Sequence, residues 1–105
     1  MNEHDSPPQV SDDTAHDRFL VEEDGATAEL VYEVEGRRLL LLHTEVPEQL
    51  GGRGIGGRLV QASVARAARD GLVVVPWCPY ARKWLLDHHD VAAGVTIDWS
   101  PPRVE

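Results

Sequence analysis

The sequence predicts one mixed α/β domain in which antiparallel strands lead into a strand, a glycine-dense loop, a helix and a parallel strand. Three observations carry this prediction. Alternating segments joined by Asp24-Gly25 and Glu35-Gly36 read as hairpin strands. The run Leu39-Leu40-Leu41-Leu42 is followed by Gly51-Gly52-Arg53-Gly54-Ile55-Gly56-Gly57 and then by an alanine-rich stretch with helical spacing. Leu72-Val73-Val74-Val75 is β-branched and unbroken, so it closes a strand–helix–strand crossover. A chain of 105 residues has room for one core, burying roughly 60–70% of the surface its unfolded form exposes.

Residues 1–17 are polar, acidic and proline-containing, with little to bury, and are expected to form a disordered tail. The domain spans 18–100. Its first strand is Arg18-Phe19-Leu20-Val21, and Ala28 to Val34 is the second, with Ala28, Leu30, Tyr32 and Val34 on one face. The third runs from Arg38 to Val46. Leucine also suits a helix, but the Glu35-Gly36 hairpin and the stop at Pro47 favour a strand covered on both faces. Strict period two puts Leu39, Leu41, His43 and Glu45 on one face, and Leu40, Leu42, Thr44 and Val46 on the other. A helix follows from Gly57 to Asp70, with Gly71 as its C-terminal cap. Pro76 ends the parallel strand, and Pro79 opens a second helix through His88. Val95 to Trp99 reads as a last short strand, and 101–105 as a tail.

The glycine loop is the informative feature. Glycines permit positive φ and expose main-chain N–H groups, and the following helix adds unpaired donors and a positive dipole end. Together they make an anion cradle suited to phosphate, unless the loop is a purely structural turn. Gly52, Gly54 and Gly57 match the spacing of a dinucleotide fingerprint. That fold needs a longer sheet and an acidic residue after the next strand, where this chain has Pro76-Trp77-Cys78. Gly57-Arg58-Leu59 likewise lacks the Lys-Ser or Lys-Thr of a Walker loop.

Composition narrows the partners. A net charge of −8 opposes general nucleic-acid affinity. Cys78 is the single cysteine, so no disulfide forms within the chain, and no apolar run is long enough for a membrane helix. The expected setting is the cytoplasm, with no membrane or nucleic-acid partner. Oligomeric state is not readable, and the adjacent His88 and His89 point apart on a helix end, so no metal site is expected.

From about Arg18 to Asp90, nearly all of the ordered chain, this order of hairpins, glycine loop, helix, parallel strand and helix resembles the GNAT superfamily of N-acetyltransferases. The family's loop pattern Q/R-x-x-G-x-G/A falls on Gly51-Gly52-Arg53-Gly54-Ile55-Gly56, with Gly51 in place of the leading Gln or Arg. His43-Thr44-Glu45-Val46-Pro47, the loop, and Val75-Pro76-Trp77-Cys78-Pro79-Tyr80 are similar, in order, to three blocks of a small single-domain branch with a cysteine beside the coenzyme. Within that branch Trp84 stands where a tyrosine is usual, and His88-His89-Asp90 where a His-Pro pair is expected. The resemblance implies acetyl-coenzyme A as cosubstrate and no metal. It places coenzyme contacts at Val46, Gly51, Gly52, Arg53, Gly54, Ile55, Gly56, Gly57, Arg58 and Cys78, with Arg53 or Arg58 restoring the positive side chain.

Acetyl transfer needs a neutral amine, a stabilised oxyanion and a route for the departing thiol. Many family members protonate the sulfur with a tyrosine in the second helix. Here that position is Leu85, and Tyr80, earlier in the helix, reads as a packing aromatic. Cys78 follows a parallel strand at a helix N-terminus, where a dipole favours thiolate. It is either transiently acetylated, a positioner of the thioester, or a small buried hydrophobe. Glu45 is the candidate general base, if burial raises its pKa, or else a solvated strand-end carboxylate. His43 shares its face as a third catalytic candidate, or is a hydrogen-bonded core residue. Arg82 and Lys83 can reach a 3′-phosphate or simply form a solvated helix face. The expected activity is acetyl transfer to a primary amine, on a small molecule or a protein lysine. A non-catalytic acyl-coenzyme A binding or sensing module, and a partner-binding domain without coenzyme, are the alternatives.

Overall fold

The computed structural model describes residues 9–102; the first eight residues and the last three, parts of the two expected tails, lie outside it. Its elements are β1 (Ser11–Asp13), β2 (Arg18–Glu23), β3 (Ala26–Glu35), β4 (Arg38–Glu45), α1 (Ile55–Asp70), β5 (Val73–Pro76), α2 (Pro79–Asp87) and α3 (His89–Ala92). One five-stranded sheet runs in the order β1-β2-β3-β4-β5, antiparallel throughout except for the parallel β4–β5 pair. The parallel pair is what the crossover through α1 requires.

Turn chemistry accounts for the hairpins. Asp24 and Gly25 both have positive φ (52° and 76°), the mark of a I′ turn, whereas at the β3–β4 turn only Gly36 does (60°). The expected N-terminal tail is corrected in part: Ser11–Asp13 pairs with β2 as an edge strand, with Ser11 opposite Leu20 and Asp13 opposite Arg18. Polar composition hid it, because an edge strand buries little. Tyr32 Oη donates to Asp12 at 2.6 Å and accepts from Arg66 of α1 at 2.7 Å, so hydrogen bonds to buried neighbours supply what apolar burial does not.

The core lies between α1, α2 and one face of the sheet. Phe19, Val21, Ala28, Leu30, Tyr32, Leu39 and Leu41 meet Leu59, Val60, Val64, Ala67, Ala81 and Leu85 there. Fully burying one such leucine is worth roughly 1.5–3 kcal/mol, so the apolar face of α1 suffices to dock it. Leu40 and Val75 are also buried but face the other way, paired in register across β4–β5. No described helix is long and apolar enough to cross a membrane.

Three details depart from the expectations. The helix α1 starts at Ile55 rather than Gly57, so two loop glycines belong to its first turn. Val95–Trp99 is reduced to a single parallel bridge, Val74 with Ile97, held by the bonds Val74 N–H to Thr96 O and Asp98 N–H to Val74 O. The third concerns β4. The register steps from Tyr32↔Leu41 to Val31↔His43, leaving Leu42 as the extra residue of a β-bulge. Alternation therefore flips at Leu42. Thr44, opposite the buried Leu30, turns to the helix face with Leu39 and Leu41, whereas His43 and Glu45 turn away. Leu42 is 37% exposed, so the expected two-sided burial ends at Leu41.

Candidate active site

After Pro47 a short 3-10 turn, Glu48–Leu50, carries the chain over the end of the sheet, with Leu50 fully buried beneath it. Ile55 is anchored in the same core, so Gly51–Gly54 arches outward between two buried side chains. Gly52 and Gly54 have φ of 77° and 74°, and Gly54 caps α1 in the left-handed region. A side chain at either would meet open space, so backbone conformation rather than crowding requires glycine there. The helical ladder begins with Arg58 N–H to Gly54 O at 3.2 Å, which leaves the amides of Ile55, Gly56 and Gly57 without helical acceptors. No acidic residue stands in this first turn to oppose an anion. An exposed, acid-free nest of this kind fits a phosphate group.

Gly56 and Gly57 serve a further purpose. A Cβ on Gly56 would lie 2.4 Å from Tyr80 Oη, and one on Gly57 would lie 2.5 Å from Trp84 Nε1. Their missing side chains let α2 close on α1; what remains to a ligand is their N–H groups. Arg53 does not face the loop's interior, since it bonds Glu23 at 3.0 Å and Asp24 at 2.8 Å on the β2–β3 hairpin. It braces the loop instead. Arg58 is exposed and, among the described residues, makes no ion pair. Arg82 donates to Trp99 O at 2.9 Å and Lys83 bonds Asp87 at 2.8 Å, so neither is held toward the loop.

Beside the loop the sheet forks. Pairing of β4 with β5 stops at Leu41↔Pro76; β4 continues to Glu45, while the other chain turns through Trp77 into α2. Cys78 sits in the fork as the N-cap of α2, its N–H donating to Leu41 O at 2.8 Å and its Sγ 3.3 Å from Thr44 Oγ1. It is 3% exposed, which fits a wall of the site better than a nucleophile open to attack. Val46, half-buried, packs on the core below. His43 and Glu45 lie together, Nε2 to Oε2 3.8 Å, but on the opposite face from Cys78 and largely exposed. Burial, the condition attached to Glu45 as a tuned base, is not met.

Two residues stand beside the loop and fork that the residue pattern did not single out as site candidates, Thr44 and Tyr80. Thr44 reaches Cys78 only because the bulge flips it, and no residue pattern marked the bulge. Tyr80, expected as a packing aromatic, does pack its ring against Gly56, and it is 46% exposed; partial burial and then the nearby Cys78 raise its pKa. A proline-opened helix beside a glycine loop was the available signal. Leu85 is fully buried and offers no proton.

A cavity of about 610 Å³ lies elsewhere, lined by Glu35, Arg38, Trp77, Asp98, Ser100, Pro101 and Pro102. One of about 180 Å³ beside the first turn of α1 is lined by Tyr80, Lys83, Trp84 and Asp87. Neither cavity is lined by the loop glycines or by Cys78. Among the described residues no group of three or more His, Cys, Asp or Glu is arranged to hold a metal ion.

Known proteins share this fold. The model of the GCN5-related N-acetyl-transferase family matches residues 18–94. Protein NATD1 of Gallus gallus is 34% identical over 89 residues, covering 82% of this chain and 81% of its own. Protein NATD1 of Homo sapiens is 33% identical, covering 82% and 79%. A solution structure of a GCN5-like N-acetyltransferase candidate from Staphylococcus aureus superposes with a TM-score of 0.65 at 26% identity, covering 90% of this chain and 93% of that one.

Proposed function

The chain belongs to the GCN5-related N-acetyltransferase family, and we propose that it transfers an acetyl group from acetyl-coenzyme A to a primary amine. The observation that carries the proposal is the left-handed pair Gly52 and Gly54 at the N-terminus of α1, beside the fork between β4 and β5. In this reading the amides from Gly52 to Gly57 and the Arg58 guanidinium hold the diphosphate. The fork, walled by Thr44 and Cys78, receives the acyl end.

Bound acetyl-coenzyme A supplies an activated acetyl group, whose carbonyl carbon bonds to the amine nitrogen as the carbon–sulfur bond breaks. Glu45, an exposed carboxylate beside His43 on the face opposite Cys78, is the candidate to take the proton the nitrogen loses, directly or through water. Tyr80, a phenol at the start of α2 that is protonated at neutral pH, is the candidate to return a proton to the departing sulfur. The burial of Cys78 and its contact with Thr44 favour direct transfer, with Cys78 positioning the thioester rather than carrying the acetyl group.

The test has two parts. Coenzyme A at 100 times its dissociation constant should stabilise the fold by about 2.7 kcal/mol, and thiol should be released when amines are added. Intact mass after incubation with acetyl-coenzyme A should show no Cys78-dependent adduct, and Cys78→Ala should retain turnover; a stable adduct lost in the variant would establish the covalent route instead. The burial of Leu85 at the usual proton-donor position favours a second reading, a coenzyme-binding module without turnover. A coenzyme shift without thiol release would decide for it.

A further inference from the structure

Resting on that transferase reading, we propose that the acceptor is a lysine side chain within a basic segment of another protein, laid along the helix-free face of the sheet. The helices α1 and α2 and the closed contacts Tyr80–Gly56 and Trp84–Gly57 occupy one face. The bulge at Leu42 turns His43 and Glu45 onto the other, where no described helix packs; Leu40 and Val75 are buried on it, so the approach for an amine is over the exposed end of β4 at Leu42, His43 and Glu45. Half-buried Leu20 and Val31 and exposed Leu42 give this face apolar ground for an extended backbone rather than an enclosed slot for a small amine.

Its charge selects the partner. Glu22, Glu29, Glu33, Glu35 and Glu45 share the face with Arg18 and Arg38, by the register of β2, β3 and β4. Arg18 is already bound to Asp13 and Glu29, and among the described residues Glu33 makes no ion pair. At the far end of the same face is the 610 Å³ cavity, walled by Trp77, Glu35 and Asp98. An internal cation shows what those walls accept: Arg38 lies 5.9 Å over the Trp77 ring, 3.7 Å from Glu35 and 3.6 Å from Asp98. Both ion-pair distances exceed direct hydrogen-bond length, so the carboxylates keep lone pairs for a second cation. From His43 back to Arg38 is about 16 Å of strand, so a peptide with its lysine at the fork places a basic residue about five positions away in the cavity.

The test uses the full chain and thiol release from acetyl-coenzyme A. Three acceptors are compared: a peptide with one lysine and arginines about five positions to either side, the same peptide with glutamates in place of the arginines, and spermidine. The basic peptide should exceed the acidic one by roughly 10-fold or more in kcat/KM, and raised salt should erode the difference. Glu33→Lys combined with Glu35→Lys should abolish the preference while the thermal shift with coenzyme A persists, showing that the variant is folded and loaded. Equal rates for the two peptides, or spermidine outpacing both, overturns the proposal and leaves the transferase reading standing. A missing coenzyme shift in the unaltered protein removes that reading, and this proposal with it.

Discussion

Gly57→Ala tests the packing that brings the loop to the fork. In an open helix the change would gain up to about 1 kcal/mol of helix propensity. Here the new Cβ falls 2.5 Å from Trp84 Nε1 and 3.1 Å from its Cε2. The indole has little freedom to retreat, because it stacks on His88 at 3.8 Å and 9°, and His88 Nδ1 lies 2.7 Å from Trp84 O. Overpacking of this kind costs about 1–3 kcal/mol, so with the propensity gain subtracted a net loss of about 1 kcal/mol, and at most about 2, is expected. In a domain of this size that lowers Tm by about 5–10 °C, measured by calorimetry or circular dichroism. The same substitution in a Trp84→Ala background should be neutral or stabilising, since only the propensity gain remains. An equal penalty in both backgrounds, or a raised Tm in the first, refutes the argument. Gly56→Ala meets Tyr80 at 2.4 Å, but that half-exposed ring can swing outward, so its stability cost should be the smaller of the two.

Gly54→Ala forces an L side chain into φ of 74° and should cost about 1–2 kcal/mol while weakening coenzyme binding, read as a reduced thermal shift at fixed coenzyme A. Arg58→Ala should weaken that shift with little change in the unliganded Tm; Arg53→Ala, which removes only a brace to Glu23 and Asp24, should weaken it less, and the reverse order would overturn the assignment of Arg58. Burial, then Asp12, pushes the Tyr32 pKa from 10.0 up to about 12. The folded state therefore holds this proton more tightly than the unfolded one: the stabilisation is complete below pH 10 and is lost as pH rises toward 12. Tyr32→Phe should remove that part of the base-unfolding slope and cost about 1 kcal/mol at neutral pH through the lost bonds to Asp12 and Arg66. An unaltered slope in the variant would place the alkaline transition on another group.

The sequence alone determined those features that rest on local chemistry. Asp24-Gly25 and Glu35-Gly36 set the hairpins through positive φ, the glycine loop and the alanine-rich stretch set the glycine-capped N-terminus of α1, and Pro76 and Pro79 bounded β5 and opened α2. Each depends on residues within one turn or strand, so reading along the chain suffices. Tertiary structure decided what depends on partners distant in sequence. The bulge at Leu42 arises from pairing with Val31 and Tyr32, and it alone sends Thr44 to Cys78 and turns His43 and Glu45 away. Arg53 was drawn to the carboxylates of Glu23 and Asp24, a hairpin about thirty positions earlier, leaving Arg58 at the loop. Ser11–Asp13 became a strand because Tyr32 and Arg66 bind Asp12 across α1. A one-residue slip in register exchanges the two faces of a strand, so which side chains enter the fork follows from pairing energy between strands rather than from the order of residues in β4.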